Sequence, residues 1–248
     1  MNVIKTANPK LTYQQVRKEL KKYASAKRKK TNEWFFKIGK GEYGEGDQFM
    51  GVRVPDARKV AKKFIDLKFI ELEKFLQSKI HEERFTALLI LVEKFKKADK
   101  ENRRKIYKFY LKNKKQVNNW DLVDLSAHHI VGKYLLENPK EKKILNKFVS
   151  SKSMWDRRIA IIASWAFIRN NNITETLRLS KKLLSDKEDL MHKAVGWMLR
   201  EAWKREDKKV EEFLIKNYNK LPRTTLRYTI ERMEESKRKR FLKGEFDK

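Results

Sequence analysis

The sequence predicts an all-α protein of HEAT-like repeats, an α-solenoid in which short antiparallel helix pairs stack side by side. Three observations indicate this fold class. Apolar residues recur at spacings of three and four, strand-like segments are almost absent, and one helical pattern returns every 34 to 37 residues. Because each repeat buries its apolar face against its neighbours, equivalent positions of successive helices are expected to line one curved surface.

We expect one domain, with N-terminal helices and a loop in residues 1–53 and repeated helix pairs in residues 54–248. Residues 10–30 have helical spacing behind Thr12, a suitable N-cap, and predict one basic amphipathic helix. Five of the eight glycines fall in residues 39–51, which predicts a loop packed beside the first helices. No Gly-Lys-Ser or Gly-Lys-Thr triplet closes this loop, so it is not a Walker-type phosphate loop.

From residue 54 onward, prolines mark expected helix starts at Pro55, Pro139 and Pro222, and the last of them is expected to open the final helix. The short connections between segments predict antiparallel neighbours. Helical spacing of apolar residues is found in segments 68–77, 84–95, 104–111, 120–135, 141–148, 155–168, 174–184, 190–203, 210–218 and 224–233.

Four segments share a basic residue at the head of an apolar helix that is rich in small residues. They read HEERFTALLIL, WDRRIAIIASW, LMHKAVGWML and TTLRYTIERM, and their basic residues are Arg84, Arg158, Lys193 and Arg227. The separations are 74, 35 and 34 residues, and half of 74 places a further repeat near residue 121. The landmarks of tetratricopeptide repeats are missing, so the pattern favours HEAT-like repeats.

Charge indicates a polyanionic partner. Lys and Arg total 62 against 33 Asp and Glu, a net charge of +29 spread over the chain. No apolar run is long enough for a membrane helix, and we expect a soluble, cytoplasmic monomer. The absence of cysteine excludes disulfides, thiolate nucleophiles and zinc fingers, and we expect no cofactor and no metal.

The segment NNWDLVDLSAHHIVGKY concentrates candidate chemistry at the start of a helix. Asn118 or Asn119 suits the N-cap. Trp120, Asp121 and Asp124 then share one side of the helix, because they are three and four residues apart. A structural role in the first turn accounts for Asp121, but Asp124 lies beyond that turn and needs a partner or a function. The adjacent histidines that follow point about 100° apart and do not predict a metal site.

At this repeat period, Asp124 is expected to join the four basic residues as the one acid in a ladder along a concave basic groove. Such a groove suits a phosphate backbone. A lone carboxylate there repels DNA, so it needs a reason other than binding. Trp120 precedes Asp124 by one turn and Trp197 follows Lys193 by one turn, so the two indoles either flank the acid or belong to the core.

One carboxylate and two aromatics fit hydrolysis of an N-glycosidic bond to an alkylated purine. A purine alkylated at N3 or N7 is cationic and leaves as a neutral molecule, so no general acid is required. A carboxylate stabilises the oxocarbenium-like sugar, and indole faces attract the cationic base.

These motifs resemble the AlkD-type DNA alkylation repair glycosylases, and the likeness covers nearly the whole chain. The matching segments are GEYGEGDQFMGVRVPD, NNWDLVDLS, MWDRRIAI, HKAVGWMLRE and LPRTTLRYTIER. The resemblance implies monofunctional excision of cationic lesions such as 3-methyladenine and 7-methylguanine from double-stranded DNA, in base excision repair. It also implies that Asp124 is catalytic, that Trp120 and Trp197 are its aromatic partners, and that Arg158 is the groove arginine.

We further expect DNA contacts from Arg84, Lys193, Arg223 and Arg227. The alternative is a noncatalytic HEAT-like scaffold that binds nucleic acid or an acidic protein, because charge and repeats serve both functions equally. Asp124 discriminates between the two, since a pure binding protein has no use for a carboxylate in a cationic groove.

Overall fold

In the computed structural model, the described residues are 11–246, and they form two compact units divided between Val117 and Asn118. The predicted all-α, HEAT-like fold class is confirmed. Apart from one isolated parallel bridge between Gln48 and Ile80, these residues form helices and loops. None of their helices is both long enough and apolar enough to cross a membrane. The single domain expected from the sequence stays a prediction.

Unit 1 is organised around its longest helix. Its helices are α1 (Tyr13–Lys21), α2 (Ala26–Phe35), α3 (Val54–Lys63), α4 (Phe69–Leu76), α5 (His81–Lys97) and α6 (Lys100–Lys112). The helices α3, α4 and α6 all pack against α5. Every residue of α5 from His81 to Val92 is buried, including the polar residues of its first turn, so this helix is enclosed on all sides and forms the core of the unit.

The single helix predicted for residues 10–30 is wrong, because the chain forms α1 and α2 there. The helix α1 begins after Thr12, as predicted. The break comes at Ser25, whose backbone N–H donates to the Met50 carbonyl (3.1 Å) instead of to a helical acceptor. The Ser25 hydroxyl accepts from the Arg28 N–H (3.4 Å) and so caps α2.

The glycine-rich loop packs beside the first helices, as predicted, and a buried carboxylate orders it. Glu82, at the start of α5, accepts three successive backbone N–H groups of the loop: Met50 (2.9 Å), Gly51 (2.8 Å) and Val52 (3.2 Å). These bonds satisfy backbone donors that have no ladder or helix partner, and they also compensate the burial of the Glu82 charge.

Unit 2 begins with one long helix that contains a π-helical segment, His128–Gly132, between α7 and α8. A 3-10 turn, Pro139–Lys143, leads into α9. The helices of this unit are α7 (Trp120–Ala127), α8 (Lys133–Glu137), α9 (Ile144–Val149), α10 (Met154–Ala163), α11 (Trp165–Ile168), α12 (Thr174–Leu183), α13 (Asp189–Trp203), α14 (Asp207–Asn217), α15 (Arg223–Ile230) and α16 (Glu235–Lys243).

The repeated second helices of unit 2 pack in chain order. The helix α7 packs against α10, α10 against α13, and α13 against α15, while α9, α12 and α14 lie against members of this row. The helices α10, α13 and α15 start at residues 154, 189 and 223, which are 35 and 34 residues apart. The period expected from the sequence is therefore the period of the structure.

Two of the three proline predictions hold in full. Pro55 is the second residue of α3, and Pro139 opens the 3-10 turn before α9. Pro222 precedes α15, but this helix is not the last, because α16 follows it. The sequence of α16, ESKRKRFLK, buries only Phe241 and so lacks the apolar periodicity by which the other helices are recognised.

We expect Gly51→Ala to lower the free energy of unfolding more than Gly41→Ala. Both glycines have φ of +79°, a conformation that costs a residue with a side chain about 1–2 kcal/mol. A Cβ at Gly41 meets nothing within 4 Å, whereas one at Gly51 lies 2.2 Å from the Ser25 carbonyl oxygen and 2.6 Å from the Lys29 nitrogen.

Urea unfolding of both variants measures the difference between these two losses. Equal losses would mean that the contact between the loop and α2 has no energetic weight.

Candidate active site

The start of α7 is fixed by its cap. Asn119 is the N-cap, one of the two residues predicted for it, and its side-chain oxygen accepts from the Trp120 N–H (2.8 Å). Asp121 is the second residue of the helix, where the helix dipole favours a carboxylate. Asp124 lies one turn after Trp120, and both side chains are partly exposed. The helix therefore presents an indole and a carboxylate together at the surface of unit 2.

Asp124 forms a bidentate ion pair with Arg158 of α10. Arg158 Nε donates to Asp124 Oδ1 (2.9 Å) and Nη2 donates to Oδ2 (2.8 Å), in the parallel geometry that is strongest for this pair. The third guanidinium nitrogen, Nη1, donates to the carbonyl of Leu190 in α13. Arg158 thus connects three neighbouring second helices of unit 2.

The two members of this pair differ in exposure. The Arg158 side chain is 5% exposed and that of Asp124 is 18% exposed. The guanidinium is therefore enclosed, while part of the carboxylate still faces solvent. Three of the five N–H groups of Arg158 are engaged inside the protein, with Asp124 and a carbonyl, and the expectation that this residue lines a DNA groove stays a prediction. Its geometry is that of a residue that holds the carboxylate in place.

Burial raises the pKa of Asp124 above its ordinary value. The charge of Arg158 and the hydrogen bonds that it donates oppose this rise, and the negative charge of Asp121 adds to it. The pKa of this carboxylate is raised because the interactions with Arg158 do not fully offset the loss of solvation. Groups with such perturbed pKa values are concentrated at functional sites.

A row of rings leads from Asp124 to Trp197. Trp197 packs edge-on against Trp165 of α11, with 5.0 Å between ring centroids and 63° between planes. Trp165 packs against His128 at 4.5 Å, and His128 Nδ1–H donates to the backbone carbonyl of Asp124 (3.1 Å). His128 also lies 3.8 Å, between centroids, from His129. The row therefore links Trp197 to the helix that carries Asp124.

Sequence reasoning missed Trp165 and His128 as parts of this site. A signal for both was present in their spacing, since His128 follows Asp124 by four residues and Trp165 follows Arg158 by seven, so each lies on the same helical face as its predecessor. Among the described residues, no three histidine, aspartate or glutamate side chains gather as a metal-binding group.

The other three basic residues of unit 2 that were predicted to contact DNA lie at its surface. Lys193 pairs with Asp189 (2.8 Å), and the hydrogen bond from Lys193 is the main cause that lowers the pKa of Asp189. Arg227 is exposed and, within the described residues, forms no ion pair. Arg223 is exposed too, and donates to Tyr218 Oη (3.3 Å) and to the carbonyl of Leu242 (3.1 Å). Lys193 and Arg227 are thus accessible to an anion, while Arg223 also helps to hold α16.

Arg84 does not lie on a surface, contrary to the expected ladder. Its side chain is 3% exposed, Nη2 donates to Asp47 Oδ1 (2.6 Å), and Nη1 donates to the carbonyl of Ser78 (2.9 Å). Asp47 also contacts His81 Nδ1 (3.0 Å), which makes a buried three-residue cluster in unit 1. The predicted DNA contact by Arg84 is therefore not carried further.

The repeat register itself is as expected. The five ladder residues are each the fourth or fifth residue of their helix, in α5, α7, α10, α13 and α15. What varies is the environment at that position. Arg84 and Arg158 are enclosed in ion pairs, while Lys193 and Arg227 face solvent. Equivalent backbone positions thus serve internal pairing in two repeats and surface charge in two others.

The fold of this chain is shared with a known protein. The chain is similar in structure to a predicted DNA alkylation repair enzyme from Enterococcus faecalis, with a TM-score of 0.67, 16% identity, and coverage of 86% of this chain and 97% of the other. At that identity the likeness shows the fold alone. No curated protein matches the chain. The family model described as "DNA alkylation repair enzyme" matches residues 16–233, so the chain belongs to the DNA alkylation repair enzyme family.

Proposed function

We propose that the protein is a monofunctional DNA glycosylase that hydrolyses the N-glycosidic bond of cationic alkylated purines in duplex DNA. The observation that carries the proposal is the partly exposed carboxylate of Asp124, held in a bidentate ion pair by an enclosed arginine. Arg158 fixes the position of Asp124 without covering it, so the carboxylate remains available to a ligand.

In the proposed reaction, Asp124 stabilises positive charge on the deoxyribose. As the bond between C1′ and the purine nitrogen breaks, its electron pair goes to the base, which was cationic and leaves neutral. The sugar becomes oxocarbenium-like, water adds to C1′, and the water proton is released to the carboxylate or to solvent. A preorganised anion beside C1′ lowers the barrier because its charge is attracted more strongly to the transition state than to the neutral sugar.

The aromatic residues fit the same substrate. Trp120 lies one turn from Asp124 on α7, and Trp197 is held by Trp165 on the neighbouring helices. Both indoles are partly exposed, and an indole face attracts both a cationic base and sugar carbons that are becoming positive. The exposed cations Lys193, Arg223 and Arg227 are suited to phosphate contacts, which fix register without reading sequence.

We expect Asp124→Asn to slow release of 7-methylguanine by on the order of a hundredfold or more, the scale for loss of one electrostatic stabiliser. Affinity for DNA should stay equal or rise, because a negative charge is removed. Single-turnover release of free base measures the rate, and Asp121→Asn is the matched control.

If Asp121→Asn were the slower enzyme at unchanged stability, the roles of the two aspartates would be reversed. DNA binding without any base release would favour the scaffold function.

We expect only lesions that are already cationic to be released. A neutral base such as uracil or hypoxanthine needs a proton donor as it leaves, and the proposed site supplies a carboxylate held by arginine instead. Matched duplexes containing 7-methylguanine, 3-methyladenine, hypoxanthine or uracil test this directly. Efficient release of uracil would rule out the mechanism even if the protein were a glycosylase.

We expect Arg158→Met to move the acid limb of the pH–rate profile to higher pH. Asp124 acts as a carboxylate, and Arg158 opposes the rise of its pKa, so removal of the guanidinium raises that pKa further. The matched control is Arg157→Met. Arg157 is the preceding residue and forms an equally bidentate pair with Asp186 (2.6 and 3.1 Å).

Both variants should lose thermal stability, since removal of one partner leaves an uncompensated carboxylate. Only Arg158→Met should shift the profile. Identical pH–rate profiles in the two variants would show that Arg158 has no effect on the ionisation of the catalytic carboxylate.

A further inference from the structure

The helix α2 is exposed to an unusual degree. None of its ten residues is buried, although every other helix of unit 1 contributes to the core. It is held by one side only. Ser25 and Lys29 touch Gly51 of the glycine-rich loop, and Asn32 Nδ2 donates to Glu82 (3.4 Å). Phe36, just after the helix, stacks with Phe49 at 5.1 Å.

The side of α2 that faces away from these anchors carries Lys27, Lys30 and Trp34. At about 100° per residue, these three lie within about 60° of one another and roughly opposite the anchored side. Trp34 is 81% exposed. Among the described residues, neither lysine has an ion-pair partner. We call these three residues the α2 face.

Trp34 is the most exposed large apolar side chain among the described residues, and tryptophan is enriched at contact surfaces. The chemistry of the α2 face points to a polyanion. Two lysines without partners are suited to phosphates, and the indole one turn beyond Lys30 is suited to packing against a sugar. A membrane-surface helix needs a broad apolar stripe, whereas a single tryptophan on a face with two lysines does not supply one.

We propose that the α2 face is a DNA-contacting element of unit 1, with Lys27 and Lys30 on phosphates and Trp34 against a deoxyribose. This rests on the proposed function only in taking duplex DNA as the partner. It does not depend on Asp124, on base release or on the nature of the lesion, so it concerns binding to undamaged DNA as well.

The test is binding of undamaged duplex DNA by the full chain over a series of salt concentrations. Trp34→Ala should weaken binding by about 5- to 30-fold, the range for truncation of one aromatic contact residue, and Trp34→Phe should restore much of it. Lys27→Gln with Lys30→Gln should reduce the salt slope by about 2, because two phosphate contacts are lost.

The charge-matched control is Arg104→Gln with Lys108→Gln, since both residues are exposed on α6 of the same unit and removing them changes the net charge equally. It should leave the slope unchanged. Quenching of tryptophan emission by DNA should also be smaller in Trp34→Phe than in the wild type. All substituted residues are exposed, so circular dichroism should report wild-type helix content in every variant.

Three results would overturn the proposal: wild-type affinity and slope in the α2 variants, an equal slope change in the α6 control, or no DNA binding by the wild type. Binding to anionic phosphatidylserine vesicles that is lost in the α2 variants, with DNA binding unchanged, would assign the face to a membrane instead.

Base release by wild type with wild-type binding in Trp34→Ala would refute this proposal and leave the proposed function standing. If Trp34→Ala lost DNA binding and the wild type released no base, this proposal would stand and the proposed function would be refuted.

Discussion

The interaction on which unit 2 depends is the fork of hydrogen bonds from Arg158. One guanidinium joins the Asp124 carboxylate on α7 to the Leu190 carbonyl on α13, from a position on the helix between them. A buried ion pair contributes little net stability, because desolvation offsets most of the attraction. What it supplies is geometry. Two parallel N–H groups allow only one orientation of the carboxylate plane, and the third fixes the arginine relative to the next repeat.

Asp124 and Arg158 could be singled out in the sequence because such residues are unusual at these positions. Helix capping does not explain an acidic residue beyond the first turn of an apolar helix. The repeat period indicated that Arg158 lies at the equivalent position of the next repeat. The helices were predictable for a related reason, since those that face the core have apolar residues at helical spacing. Thr12, Asn119 and Pro55 marked starts because their effects are local.

The features that were missed depend on contacts distant in the sequence. Nothing near Arg84 shows that Asp47, 37 residues earlier, encloses its guanidinium. The break between α1 and α2 likewise depends on the Met50 carbonyl, and α16 has too few buried residues to give a pattern. Periodicity identifies which residues occupy equivalent backbone positions, but the burial of each one is decided by neighbours that periodicity does not identify.

The carboxylate of Glu82 also couples three parts of unit 1, namely α5, the glycine-rich loop and α2. Its three amide partners in the glycine-rich loop lie 30 to 32 residues earlier in the chain, so the loop has no acceptor for these groups until α5 has formed. The loop in turn provides the surface on which α2 rests, at Gly51. The order of α2 therefore depends on the loop, and the order of the loop depends on α5. Local opening of α5 near its first turn would release the loop and α2 with it, so the three segments would behave as one cooperative unit in hydrogen exchange.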